Sequence, residues 1–258
     1  MHAHFVLAHP EPQSFNAHLV RSGSAALEAE GWTVSASDLY AMGFDPCERP
    51  EHFADRGDPA RFDPQSEQRH ASEVGALPKV VTDELALLDR ADLLVLQYPM
   101  WWHLPPAILK GWFDRVLAYG DGYTAKKRWE NGRFVGKRAM LSVTVGTSRE
   151  TYAFDGRSGD IDLMLWPVNF TLAYVGYDVL APFVAYGVEA GLRYSDPAAI
   201  ERRLRGVVEE FRAELLRVGS RAKIPFNRMA EWGADGRIAP GAPVHSAFIR
   251  RKEKLDLE

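Results

Sequence analysis

Apolar and polar residues alternate along the chain in two recurring patterns. Five stretches are either short and wholly apolar or alternate residue by residue, which is typical of strands. They are residues 4–8, 32–39, 93–96, 139–144 and 179–185. Five longer stretches have the apolar spacing or the cap residues of helices. They are residues 14–31, 80–91, 106–118, 160–174 and 197–218. Strands alternating with helices predict an α/β fold, a doubly wound five-stranded parallel sheet with helices on both faces.

Prolines modify this pattern at several places. Pro167 is expected to interrupt the helix at 160–174, and Pro182 indicates a bulge or an edge position in the fifth strand. Residues 43–78 contain five prolines and little periodicity, so we expect an irregular excursion that is either solvated or part of an interface. We assign residues 1–218 to one domain. Residues 219–258 are expected to form a tail packed on that domain or on a neighbouring chain.

Composition excludes several classes of partner. The chain has 258 residues and a net charge of −4, which gives no electrostatic footprint for nucleic acid or an anionic membrane. No apolar run approaches the length of a membrane span, and the N-terminus lacks the features of a signal peptide. The single cysteine permits no internal disulfide, which favours a reducing compartment. We therefore expect a cytoplasmic protein without membrane insertion.

The common nucleotide and hydrolase motifs are absent from the sequence. It contains no GxGxxG after the first strand, no GxxxxGK[ST] and no GxSxG, which disfavours a Rossmann dinucleotide site, a P-loop and a nucleophile elbow. His2 and His4 share one strand face, but two such histidines are more often incidental than metal ligands. We predict no metal site.

Three strand ends carry residues suited to a ligand. Ser14–Asn16 begins a helix, where backbone N–H groups and the helix dipole favour a phosphate, although a plain capped helix would look the same. Residues 99–103 (Pro-Met-Trp-Trp-His) form an aromatic loop, and its tryptophans could equally be core residues. Residues 144–147 (Thr-Val-Gly-Thr) are small enough to let a ring approach the backbone. An anionic tail joined to a flat ring is the shape of a flavin nucleotide.

Four motifs resemble one family. SFN at 14–16, DLYAM at 38–42, PAILKGWFDRV at 106–116 and GDIDLMLWP at 159–167 are similar to the NAD(P)H:quinone oxidoreductases of the DT-diaphorase type, which have a flavodoxin-like fold. The resemblance extends to about Gly187 and fades beyond it. It implies noncovalently bound FAD, with FMN less favoured, and NAD(P)H as the co-substrate. It further implies two-electron, ping-pong reduction of a quinone-like acceptor.

The resemblance also implies roles for particular residues. The flavin phosphates and ribityl chain would be held by His9, Ser14, Phe15 and Asn16. The isoalloxazine ring would be lined by Pro99, Met100, Trp101, Trp102 and His103. Its polar edge would receive backbone amides from Thr144, Val145, Gly146 and Thr147.

Tyr152 lies where the family has a tyrosine that hydrogen-bonds the flavin and takes part in charge relay. The histidine that follows it by six residues in the family is replaced here by Ser158. Hydride transfer belongs to the cofactor, so a working flavoenzyme is still expected. Proton delivery to the quinone would then fall to Tyr152 alone, to a neighbour such as Arg157, or to water.

The assembly and the precise activity leave alternatives open. The resemblance implies a homodimer with the active site between subunits, and the aromatic and proline-rich surface agrees with it. Chain length and the excursion at 43–78 favour FAD. Other relatives are flavin-binding accessory subunits of membrane ion-efflux systems, and an FMN-dependent azo or nitro reductase is a further possibility. A one-electron flavodoxin carrier is disfavoured, because such carriers are shorter and strongly acidic.

Overall fold

Parallel pairing joins all the strands of the sheet in the computed structural model, which describes residues 1–189, 196–246 and 248–251. The strand order is β2-β1-β3-β4-β5, and β6 also pairs with β4. The strands are β1 His2–Leu7, β2 Thr33–Asp38, β3 Leu93–Pro99, β4 Arg138–Thr144, β5 Asp178–Val179 and β6 Phe183–Ala185. Every residue of β3 is buried, as expected of a central strand covered on both faces.

Helices cover both faces of the sheet. They are α1 Phe15–Ala29, α2 Pro64–Glu73, α3 Lys79–Arg90, α4 Ala107–Val116, α5 Ile161–Tyr174 and α6 Pro197–Leu216. One apolar core contains side chains of α3, α4 and α5, and a second contains those of α1 and α6. The two cores use opposite faces of the strands, which confirms the doubly wound α/β prediction.

The excursion at residues 43–78 is more regular than the sequence suggested. The expectation of an irregular segment is wrong at α2, which begins at an Asp63 cap that accepts from the Ser66 N–H, with Pro64 in the first turn. Its buried side chains include Glu67, paired with Arg56 at 3.1 Å, and Gln68. Because polar residues occupy the inner face, the apolar spacing that reveals a helix is missing.

The prolines have different effects at the two positions. The prediction that Pro167 interrupts a helix is wrong, since α5 runs without a break from Ile161 to Tyr174. Proline removes one intrahelical bond there, and the packing of Leu165, Val168 and Leu172 in the core holds the helix together. The interruption at Pro182 is confirmed, because the predicted fifth strand is divided into β5 and β6 at the edge of the sheet.

The described part of the tail lies against α5 and the sheet edge. Ile224 donates a backbone hydrogen bond to Val179, and the Phe226 ring lies 4.9 Å from that of Trp166. The Phe248 ring also stacks on Trp166, with the two ring centroids 6.2 Å apart. Residues 247 and 252–258 of the predicted tail are outside the described residues. In the described ranges, no helix has the length and apolarity needed to cross a bilayer.

Candidate active site

The register of the sheet brings three predicted loops to one edge. Leu7 of β1 is level with Gln97 of β3, and Pro99 at the end of β3 is level with Thr144 at the end of β4. The Ala8 N–H donates to Gln97 at 3.0 Å, and the Met100 N–H donates to Thr144 at 3.0 Å. The loops that follow β1, β3 and β4 therefore start side by side, at the edge where open α/β sheets bind ligands.

A buried network of side chains ties the three loops together. The Asn16 side chain donates from Nδ2 to Thr144 Oγ1 at 3.1 Å and accepts at Oδ1 from Gln97 Nε2 at 2.8 Å. Asn16, Gln97 and Thr144 are all nearly inaccessible to solvent. Asn16 thus fixes the start of α1 against β3 and β4, rather than pointing its amide into an open site.

The aromatic loop, residues 99–103, contains a tight turn with unusual backbone angles. Trp101 and Leu104 exchange two backbone hydrogen bonds of 3.0 Å, and the central residues Trp102 and His103 have φ of 52° and 64°. This matches a type I′ turn, a geometry that favours Gly or Asn because other residues are strained there. Trp102 is 93% exposed and Trp101 41% exposed, so the interpretation of these tryptophans as core residues is wrong.

The start of α1 offers backbone donors. Ser14 caps the helix by accepting the Ala17 N–H at 3.1 Å, which places its hydroxyl at the mouth of the first turn. In the described ranges, the N–H groups of Phe15 and Asn16 have no hydrogen-bond acceptor. His9 accepts the Glu11 N–H and lies 6.1 Å from the Trp101 ring, and burial lowers its pKa. A neutral His9 beside two free donors suits a phosphate or a hydroxylated chain.

The loop after β4 provides an open surface of small residues. Val145 is buried and donates to Ala185, whereas Gly146 and Thr147 are exposed. A methyl group added to Gly146 would meet nothing closer than the Val188 carbonyl at 3.9 Å. Neither the Gly146 nor the Thr147 N–H has an acceptor among the described residues. Free donors beside open space, on the loop whose first residue Thr144 accepts from Met100 of the aromatic loop, fit the polar edge of a flavin ring.

Tyr152 ends a short 3₁₀ turn, Arg149–Tyr152, that follows this loop. Its ring lies 6.5 Å from that of Tyr186, and the Arg149 guanidinium lies 4.8 Å over the Tyr186 ring. At the position of the family's histidine, Ser158 donates its backbone N–H to Thr151. Arg149, Tyr186 and Gln97 were missed in the sequence. Only Gln97 gave a signal there, as a polar residue that directly follows an apolar strand.

An apolar groove lies beside this edge, and none of the predicted site residues lines it. It has a volume of about 530 Å³ between α4 and α5 and starts at Leu104 and Pro105. Its walls include Phe113, Met164 and Val168. The predicted flavin residues lie instead on the loops after β1, β3 and β4, here termed the flavin ledge. In the part of the chain that the structure describes, no three His, Cys, Asp or Glu side chains are grouped to hold a metal.

Comparison with known proteins agrees with this architecture. A family model described as flavodoxin-like fold matches residues 1–210. The NAD(P)H dehydrogenase [quinone] 1 of Cavia porcellus is 37% identical over 210 residues, which cover 80% of this chain and 76% of that protein. The human ribosyldihydronicotinamide dehydrogenase [quinone] is 35% identical and covers 88% of this chain and 95% of its own length.

Solved structures give the same result. A Klebsiella pneumoniae protein assigned as a quinone reductase superposes with a TM-score of 0.80 and 31% identity, covering 93% of this chain and 92% of that one. An NAD(P)H:quinone oxidoreductase from Methanothermobacter marburgensis superposes with a TM-score of 0.64 and 25% identity over 85% of this chain and 97% of its own. The chain therefore belongs to the flavodoxin-like fold family and, within it, to the NAD(P)H:quinone oxidoreductases.

Proposed function

We propose that this oxidoreductase binds FAD and catalyses two-electron, ping-pong reduction of quinones or related flat acceptors by NAD(P)H. The observation that carries the proposal is the meeting of the loops after β1, β3 and β4, which bring free backbone N–H groups and two exposed tryptophans to one edge of the sheet. When bound, the flavin supplies the hydride chemistry that no side chain of the protein can supply.

Residues of the three loops would each bind a different part of such a cofactor. His9, Ser14 and the free N–H groups of Phe15 and Asn16 would bind the phosphates and ribityl chain. The aromatic loop would cover one face of the ring, with Pro99, Met100 and Trp101 at its base and Trp102 and His103 at its tip. Gly146 and Thr147 would donate to the polar edge, while Thr144 and Val145 hold that loop to β3 and β6.

Tyr152 would stand at the border of the ring and the acceptor. Its position on a turn beside the Gly146 loop allows its hydroxyl to hold or pass a proton near that polar edge. Ser158 is bound into the turn through its backbone and has a hydroxyl that does not titrate. Tyr152 and water would therefore deliver the proton that the acceptor needs.

FAD rather than FMN is proposed from the length of the chain and from residues 43–78. That segment packs on α4: Arg115 donates to the Asp45 carbonyl at 2.7 Å, and Gln68 donates to that of Asp114 at 3.0 Å. This ordered extension enlarges the domain beyond the flavodoxin-like sheet and its helices, which agrees with a cofactor larger than FMN.

A single cysteine, Cys47, is consistent with the proposed cytoplasmic location.

A homodimer would complete the site. The groove between α4 and α5 is mainly apolar, Leu104 at its start is 58% exposed, and Trp102, two residues earlier in the aromatic loop, is 93% exposed. Contiguous apolar surface of this kind marks an interaction site. Because the groove adjoins the aromatic loop, a second copy bound there would cover the open face of the flavin ledge.

Flavin titration followed by reduction tests the proposal. The relatives differ by name in their donors, NAD(P)H in one and a ribosyldihydronicotinamide in the other, so NADH, NADPH and dihydronicotinamide riboside should be compared. We expect micromolar or tighter binding of FAD, weaker binding of FMN, and quinone reduction with at least one donor. Failure to bind either flavin would refute the proposal, as would a bound flavin that no donor reduces.

A further inference from the structure

Arg149 is held at the site edge by an aromatic ring rather than by a carboxylate. Its guanidinium lies 4.8 Å over the ring of Tyr186, which follows β6. A guanidinium over an aromatic face is attracted by the ring quadrupole, and the contact limits its rotation. Among the described residues, no carboxylate forms an ion pair with Arg149, and its neighbour Glu150 interacts with it only through space.

The local backbone puts this charge beside Tyr152. Residues Arg149–Tyr152 form a 3₁₀ turn, which has three residues per turn, so the side chains at positions i and i+3 are eclipsed. Arg149 and Tyr152 are that pair. Tyr186 contacts both, with its ring 6.5 Å from that of Tyr152. The Arg149–Tyr152 turn and Tyr186, which are distant in sequence, therefore hold the Arg149 guanidinium on the face of the turn that carries Tyr152.

The Arg149 guanidinium offsets negative charges that lie near Tyr186. Burial raises the pKa of Tyr186, the nearby Arg149 charge opposes this, and Asp162 and Asp160 at the start of α5 add smaller raising contributions. Asp162 is itself partly buried beside Asp160, which raises its pKa. Arg203, which donates to the Gly187 carbonyl beside Tyr186, is paired with Glu189, so removal of Arg149 would leave Asp160 and Asp162 uncompensated by an unpaired cation and would disfavour further negative charge there.

We propose that Arg149 is a positioning residue that compensates the negative charge developed beside Tyr152 when the bound flavin is reduced. The inference rests on the proposed function. Transfer of a hydride breaks a C–H bond of the dihydronicotinamide and oxidises it to the nicotinamide cation. The ring gains two electrons and one proton, hence one negative charge unless a second proton follows from solvent. A fixed cation at this edge favours that charge and so raises the reduction potential.

The inference is tested by the midpoint potential of the FAD-loaded protein, measured against a reference dye. The dissociation constant of oxidised FAD is a second readout. Arg149→Gln should lower the equilibrium constant for reduction about fivefold, or about 20 mV for a two-electron couple in which tenfold is 29.6 mV. Affinity for oxidised FAD should change less than about twofold, since the added charge exists only after reduction.

Substitutions of the ring and of other arginines sharpen the test. Tyr186→Leu removes the platform and should reproduce the effect of Arg149→Gln, whereas Tyr186→Phe keeps the ring face and should match the wild type. Arg205→Gln is the matched control, because Arg205 is exposed on α6 and pairs with Glu201. It should leave the potential unchanged.

Three outcomes would overturn the inference. They are an unchanged potential in Arg149→Gln, an equal fall in Arg205→Gln, or an equal fall in Arg157→Gln, which removes the same charge from the same loop. The last would show a general effect of loop charge. Failure of the proposed function is distinguishable, because the wild-type protein would then bind no flavin, or would bind a flavin that no nicotinamide donor reduces. A lower midpoint potential in both Arg149→Gln and Tyr186→Leu, with the affinity for oxidised FAD retained, would support the inference.

Discussion

Replacing Trp102 by glycine should stabilise the fold while it weakens flavin binding. Trp102 has φ of 52° in the turn of the aromatic loop and is 93% exposed, so its side chain contributes little to the folded core. Holding an L-residue in the left-handed region costs about 1–2 kcal/mol. Glycine removes that cost. It also lowers stability by about 0.5–1 kcal/mol, because the more flexible unfolded chain loses more entropy on folding.

Trp102→Ala is the matched control, because alanine removes the indole and keeps the strained backbone. The difference between the two variants isolates the strain, and the glycine variant should be about 0.5–1 kcal/mol more stable than the alanine variant. For a chain of this size, that difference corresponds to a rise of about 1–4 °C in Tm. Urea and thermal unfolding of the flavin-free proteins measure it directly.

FAD titration of the same two proteins tests the role of the Trp102 indole in cofactor binding. Aromatic stacking contributes about 0.5–1.5 kcal/mol beyond area burial, so both variants should bind FAD about two- to tenfold more weakly. If the glycine variant is no more stable than the alanine variant, the backbone of this turn is not strained and the reasoning fails. If both variants bind FAD as tightly as the wild type, Trp102 does not contact the ring.

Three further substitutions test other parts of the structure. Gly146→Val should leave Tm unchanged, since a Cβ at this position makes no close contact. The valine side chain should block the flavin ring and weaken FAD binding more than about tenfold. Equal FAD binding by the variant and the wild type would show that this loop is not part of the site. Glu84→Ala should lower the unfolding free energy by about 1–3 kcal/mol, because Ser37 and Trp112 lose their buried acceptor at 2.6 and 2.8 Å; denaturant unfolding measures it. Burial lowers the pKa of His4 to about 4, so as pH falls from 6.5 to 4 the wild type should lose about 1.4 kcal/mol per pH unit relative to His4→Gln. Parallel pH profiles of the two proteins would refute this.

Apolar patterning predicted the strands and most helices because burial on both faces of a parallel sheet leaves a strong signal. It missed α2, whose inner face carries Glu67 and Gln68, since buried charge and amide groups are satisfied by partners distant in sequence. It also treated His4 as incidental. His4 is fully buried and bonds Ser35 and Ser37, in a chain of side chains that continues to Glu84.

The site was predictable to the level of strand ends and no further. Residues at the ends of β1, β3 and β4 could be placed together because parallel strands bring their carboxyl ends to one edge. The left-handed angles of Trp102 and His103 were not predictable, because no glycine or asparagine marks this turn and a bulky tryptophan rarely adopts that region. The Arg149–Tyr186 contact joins residues 37 positions apart in the sequence, across two loops whose geometry no local pattern encodes.

The two half-reactions, measured separately without oxygen, test the central claim most directly. The FAD-loaded protein is mixed with NADH or NADPH in a stopped-flow instrument, and the reduced protein, freed of nicotinamide, is then mixed with a small quinone. We predict complete bleaching of the oxidised flavin bands in the first step and full recovery with one equivalent of quinone in the second. A protein that bleaches but is not reoxidised by quinone, or that holds no flavin to bleach, would contradict the account.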